Sequence, residues 1–176
     1  MGKRTKYVVV MALVVIVVIF SSIFLAIYYN SVKHELDDRA SLIEQEWEEI
    51  KILLDDRYTN LSDMQDTIGM FSVYQADSIS YIIKKRGTGS VTMESIADRK
   101  YREYMENIEV SCPEVTEWGN YRNHKEELTE IDKELDVLIE KYDNDVRDYN
   151  DFKDSFPRNI MAYFCKAEKL YILRYN

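Results

Sequence analysis

The side chains best able to do chemistry are few in this chain, and their spacing suits none of the familiar sites. Its 176 residues include two histidines and two cysteines. A di-metal centre in a helical bundle draws on Glu-x-x-His pairs. Here Ser31 stands three residues before His34, and Tyr121 three before His124. His-Glu-x-x-His is absent too, so both histidines read as solvated surface residues. Asp143, Asp145, Asp148 and Asp151 are dense, but they lack the loop and glycine of an EF-hand; a charged helix face is expected. Gly87-Thr88-Gly89-Ser90 follows the basic triplet Lys84-Lys85-Arg86. Its order does not match the phosphate-cradling Gly-x-x-x-x-Gly-Lys-Ser/Thr loop, and an interhelical turn accounts for it. Cys112 and Cys165 flank a helix expected over residues 119–155, ~55 Å long, whereas bridged Cα atoms lie within ~7 Å. Both are expected unpaired. Lys166 alone neighbours Cys165, with no histidine to activate a nucleophilic thiol. The expectation is no catalytic residue, no metal site and no cofactor, and therefore no enzyme.

The elements that carry these residues are helices. Glycine and proline number five and two, too few for sandwiches or barrels, which need a turn signal every ~8–12 residues. Val32, Leu36, Ala40, Ile43, Trp47, Ile50 and Leu54 recur at helical steps, predicting a helix over about 30–57. Leu61, Met64, Ile68, Phe71, Gln75, Ser78 and Ile82, with Ile79 and Ile83 on an adjacent row, predict a second over about 61–86. Met93, Ala97, Tyr101, Tyr104 and Ile108 predict a third over about 91–111, closed by Cys112-Pro113. Leu128, Leu135, Tyr142, Tyr149 and Phe156 fall at a strict spacing of seven, as do Ile131, Leu138, Asp145 and Phe152. This coiled-coil-like seam predicts a fourth helix over about 118–156. Asp145 spoils the seam, so a one-residue shift onto Val146 is expected there. A short terminal helix over about 158–172 would bury Ile160, Tyr163, Phe164 and Leu170. Each stripe hides one face only. The expected fold is therefore all-α, an elongated antiparallel up-and-down four-helix bundle.

Its first helix is expected to continue from a membrane anchor. Residues 7–29 carry no charge and give a helix of ~34 Å, enough to cross a ~30 Å hydrocarbon core. The run exceeds the 7–15 apolar residues of a cleaved signal peptide, which favours an uncleaved signal-anchor. Lys3, Arg4 and Lys6 form a short basic tail over 1–6. They place the amino terminus in the cytoplasm and the 30–176 domain outside. Of 23 basic and 32 acidic residues, those three basic ones precede the span, leaving 20 against 32, or −12. That balance argues against nucleic acid as a partner.

The last third of the chain resembles the LemA family. The residues that carry the resemblance are Glu127-Leu128-Thr129, then Tyr142-Asp143 with Val146 and Tyr149-Asn150, then Phe156-Pro157 with Asn159. They are similar to that family's "ELT", "YN-x-x-V-x-x-YN" and "FP-x-N" at the same spacing. Tyr29-Asn30 after the span, Trp47, and the Arg57-Tyr58-Thr59-Asn60-Leu61 stretch, similar to a family turn, extend the likeness. Glu46 replaces an alanine, Ser62 the turn proline and Asp143 an asparagine, and residues 65–110 depart most. The resemblance implies a bacterial or archaeal single-pass membrane protein with an extended helical bundle, and it carries no reaction. The expected role is a non-enzymatic scaffold or adaptor meeting other membrane or envelope proteins at the cell membrane. A homo-oligomer is a further possibility. The alternative is an extracytoplasmic helical sensor that signals through a separate partner.

Overall fold

The computed structural model describes residues 3–86 and 89–174, and side chains from residue 7 onward. The basic-tail side chains, and Gly87 and Thr88 of the expected turn, lie outside the described residues. All regular structure among those described is helical: α1 Lys3–Gly69, α2 Val73–Arg86, α3 Val91–Ser111, a 3₁₀ turn Pro113–Glu117, α4 Gly119–Asp154 and α5 Arg158–Cys165. Packing groups the chain into two units. One holds Met1–Ala40 and Tyr149–Glu168, the other Ser41–Asp148 and Lys169–Asn176.

In the larger unit, α1 does not stop at residue 57. Ile50, Leu54, Arg57, Leu61, Met64 and Ile68 are all fully buried, and they alternate steps of four and three. The buried stripe therefore runs unbroken through the stretch expected to turn. Ser62 explains why: with no proline, no backbone donor is lost and no ring clashes with the preceding turn. The helix ends instead after Gly69, where Phe71 and Ser72 N–H groups both donate to the Ile68 carbonyl. Because α2 restarts after this break, its phase is new. Ala76, Ile79 and Ile82 are its buried residues, in place of the expected Gln75 and Ser78. Phe71, expected in that stripe, lies at the break with its ring 5.3 Å from Trp118.

Ser90 caps α3, its hydroxyl accepting from the Met93 N–H, after Gly89 at φ +68°, a left-handed conformation that glycine adopts without strain. On α4 the buried residues pass from Leu128 and Leu135 to Ile139, Tyr142 and Val146. The seam thus shifts by one residue and leaves Asp145 half-exposed. Partners of α1 fall in number along α4 as α1 rises: Glu46 with Lys141, Arg57 with Asp132, Asn60 with Glu127.

In the smaller unit, every side chain from residue 7 to residue 27 is exposed, and cover on α1 begins at Tyr28. Val32, Leu36, Tyr149, Met161 and Ala162 are buried. The terminal helix is shorter than expected. Lys166 adopts φ +56°, and the Ala167 N–H returns to the Ala162 carbonyl, the six-to-one bond of a Schellman stop. Its phase also differs from the expectation. Met161 and Ala162 face inward, while Ile160, Tyr163 and Phe164 are exposed.

The continuous stripe makes a testable contrast. Leu61→Ala should destabilise the folded chain by about 2–5 kcal/mol through the cavity it leaves. Ile52→Ala, on the exposed face of the same helix, should stay within about 0.5 kcal/mol. Denaturant unfolding in detergent micelles measures both, and equal effects would refute the assigned face.

Candidate functional site

The densest chemistry in the larger unit surrounds Arg57, whose side chain has 0% exposure. Burying a lone guanidinium is prohibitive, and arginine cannot shed its proton. Three helices supply its partners. Nη1 donates to Asp98 Oδ1 at 2.7 Å and to Asp132 Oδ1 at 3.2 Å, and Nη2 donates to the Tyr58 hydroxyl at 3.1 Å. The Tyr58 and Tyr101 rings lie 4.9 and 4.3 Å from the guanidinium carbon, within cation–π range. The Tyr101 hydroxyl donates to Asp132 Oδ2 at 2.7 Å, so the two carboxylates are themselves held in place.

Asp98 is shared. Arg102 Nε and Arg174 Nε donate to its Oδ2 at 3.2 and 3.1 Å. The same two arginines meet again on Asp136 Oδ1, each at 2.6 Å. Arg57, Arg102 and Arg174 thus balance Asp98, Asp132 and Asp136. Arg174 belongs to the irregular tail after α5, and Asp143 fastens that tail to α4. Its two carboxylate oxygens accept the Leu173 and Arg174 N–H groups at 2.6 and 3.0 Å. The Tyr142 hydroxyl donates to the Tyr171 carbonyl at 3.1 Å. Two smaller ionic clusters flank this one. Arg86 pairs with buried Glu94 at 3.0 Å and with Asp55. Lys141 lies 2.8 Å from buried Glu46.

Burial opposes ionisation throughout, and the partners decide which side wins. Burial pushes the Asp98 carboxyl up, but Arg57, Arg174 and Arg102 outweigh it and hold it at about 2. Burial likewise works against the Arg57 charge, yet Tyr58, Asp98 and Asp132 raise its pKa further. The Tyr58 hydroxyl is pushed up to about 12 by burial, and Tyr101 upward by burial and Asp132. These groups keep one protonation state across the neutral range. The cluster holds charge in place rather than moving protons. Where partners are weaker, burial prevails. Glu46 is raised despite Lys141, with Asp145 adding to the rise. Glu94 is raised despite Arg86, and Asp143 despite its two backbone donors.

Of the residues singled out from sequence, Arg57 is the centre of this cluster. Tyr142 supports its edge, with the Trp47 ring 5.8 Å away. Leu128 and Val146 are core residues, and Tyr149 is buried in the smaller unit. Thr129 is exposed and donates to the Lys125 carbonyl at 2.7 Å. Tyr29 and Asn150 are half-buried, and Asn30, Phe156, Pro157 and Asn159 are exposed. The motif residues therefore do not converge on one site. Asp98, Tyr101, Arg102, Asp132, Asp136 and Arg174 were not singled out from sequence as site residues. Their local signal is slight: Asp98 with Arg102, and Asp132 with Asp136, each one helical turn apart.

Two expectations need correcting. Asp143 is buried and tail-bound, not part of a solvated face. His124 is half-buried, its Nδ1 bonded to Asn60 Oδ1 at 2.7 Å, while exposed His34 stands 3.1 Å from Asp38. Both cysteines are free thiols, Cys112 buried and Cys165 half-buried.

Fold and cluster together define a helical protein whose core is pinned by arginine–aspartate pairs and preceded by a long bare apolar helix. A comparison with family profiles matches the LemA family over residues 46–175, and the chain belongs to that family. No curated protein and no solved structure gives a significant match.

Asp98 gives this cluster a pH signature. Its folded pKa, about 2, lies below the ordinary 3.8. Its ionised form therefore stabilises the fold above about pH 4, by roughly 2 kcal/mol. That contribution is lost as pH falls through about 2. Glu46, Glu94 and Asp143, whose pKa values are raised, act in the opposite sense. Comparison with Asp98→Asn isolates the Asp98 part. The variant should lose about 3–5 kcal/mol at pH 7 and show a flatter stability profile between pH 4 and 2, measured by urea unfolding. An unchanged profile would contradict the assignment.

Proposed function

We propose that this LemA-family chain is a single-pass membrane protein whose helical domain acts, without catalysis, as a scaffold or adaptor for other membrane or envelope proteins. The observation that carries the reading is the uncovered start of α1. Among the described residues, one helix is long and apolar enough to cross a membrane, with mean hydropathy reaching 3.2. Its bare stretch, residues 7–27, spans ~31 Å, close to the ~30 Å of a hydrocarbon core. The same helix continues to Gly69. The falling α4 partners of a rising α1 support an antiparallel four-helix arrangement, with the anchor continuous with its first helix. Lys3, Arg4 and Lys6 favour a cytoplasmic amino terminus and a domain outside. The cluster around Arg57 supports a rigid support more than a reacting centre, since its charges are matched to each other.

Two experiments test this. Protease added to intact cells should degrade the domain. Its survival until the cells are opened would overturn the sidedness. Photocrosslinkers at exposed Ile52 and Val137 should then yield a discrete adduct with one partner. Adducts distributed over abundant membrane proteins in proportion to their amounts would refute the scaffold role.

A further inference from the structure

The helix α5 is apolar on two opposite faces, and only one of them is packed. Met161 and Ala162 are buried in the smaller unit. At 100° per residue, Ile160, Tyr163 and Phe164 share an arc centred roughly 160° away from them, and exposed Phe156 stands in the turn just before the helix. The exposures of Ile160, Tyr163 and Phe164 are 44%, 80% and 65%, and that of Phe156 is 82%. Tyr163 and Phe164 form a continuous apolar surface, their rings in edge contact at 5.8 Å, with Ile160 on the same side. Isolated exposed apolar residues need no explanation, but a contiguous patch marks an interaction surface.

Two observations say what meets it. The first is position. The Cys165 side chain at the end of α5 interacts with that of Tyr29. Tyr28 and Tyr29 are where cover on α1 begins, directly after the bare stretch. The Cys165 end of the patch, with Tyr163 and Phe164, therefore sits at the mouth of the candidate span, at the depth where aromatic side chains settle in a bilayer. The second is charge. Residues 155–167 contain Arg158 and Lys166 and no acid, in a chain of net charge −9. Aromatic residues on one side of a short helix, with cations and no anions, match an interfacial segment on an anionic lipid surface.

We propose that α5 is a second membrane contact, its Ile160, Tyr163 and Phe164 face lying in the interfacial layer of the bilayer that α1 enters. The contact rests on the reading of α1 as an anchor. It adds a lipid-binding surface formed by the far end of the chain. Tyr163 suits the place through its polar tip, which keeps water or a headgroup while the ring is buried.

The test uses the full chain, with Cys112→Ala and Cys165→Ala, in nanodiscs of phosphatidylcholine and phosphatidylglycerol. A nitroxide is placed in turn at Tyr163→Cys, Val137→Cys and Leu13→Cys. Collisions with oxygen, which partitions into lipid, are compared with those of a water-soluble nickel complex. The label at 163 should show an oxygen-to-nickel ratio several-fold above that at 137 and resemble the label at 13. If 163 matches 137 while 13 reads lipid, the anchor stands and the α5 contact fails. If 13 also reads water, the anchor fails and takes this proposal with it. Exclusion of both reagents at 163 means that protein covers the face. Spin–spin broadening would then identify a second copy, and either result overturns the lipid contact.

Discussion

A guanidinium with no exposure is the constraint from which most of the larger unit follows. Arg57 cannot be neutralised by losing its proton, so anions have to be brought to it. They come from α3 as Asp98 and from α4 as Asp132, which fixes the rotation of both helices about their axes. An apolar residue at 57 would also bury well. It would, however, leave α3 and α4 free to slide by a turn, because leucine-like ridges repeat every turn. A planar fork facing two particular carboxylates does not repeat in that way. Tyr101 adds a second restriction, since its ring covers the guanidinium while its hydroxyl holds Asp132. The alternative of an unpaired Arg57 would cost far more than the pairs contribute, which makes the network a condition of folding in this register.

The same logic reaches the tail. Once Asp98 is committed to Arg57, its second oxygen is available to Arg102 and Arg174. Arg174 lies 76 positions along the chain from Asp98 and in no helix. It can be recruited only if the tail is fixed, and Asp143 fixes it through two backbone N–H groups. An asparagine at 143 would present one carbonyl oxygen where the carboxylate presents two acceptors. The departure of this chain from the family pattern at that position therefore has a structural counterpart. Glu46 is similar: buried beside Trp47, it is met by Lys141 from α4. Each unusual acid faces a donor that periodicity does not mark.

This explains what could be read from the sequence and what could not. Helix class, the bounds of α3 and the shift of the α4 seam onto Val146 follow from apolar spacing within one element. The stripe read as ending at Leu54 continues through Leu61 and Met64, so α1 runs on to Gly69 past the family-like stretch Arg57 to Leu61. The unbroken alternation from Ile50 to Ile68 was the better physical guide, given Ser62 in place of proline. The face of α5 was inverted because an apolar stripe on a short helix does not say which side is buried when both sides are apolar. The arginine cluster left almost no local trace. Its defining contacts join residues 41, 75 and 76 positions apart, whereas sequence patterns report on neighbours three or four apart.

Charge is where the structure most alters the sequence reading. A balance of −12 beyond the first 29 residues reads in sequence as an acidic coat that keeps the domain soluble. Several of those acids are internal, and nearly as many internal cations accompany them. Asp98, Asp143, Glu46 and Glu94 are buried, and Asp132 and Asp136 are engaged by arginines in the same network. The buried acids among them face cations or backbone donors rather than water, and a binding partner does not sense them as surface charge. What remains outside is distributed unevenly. Most exposed helix faces mix acids with bases, whereas residues 155–167 have two cations, no acid and four outward apolar side chains. The arrangement of charge, more than its total, sets this segment apart from the rest of the LemA-family chain's surface.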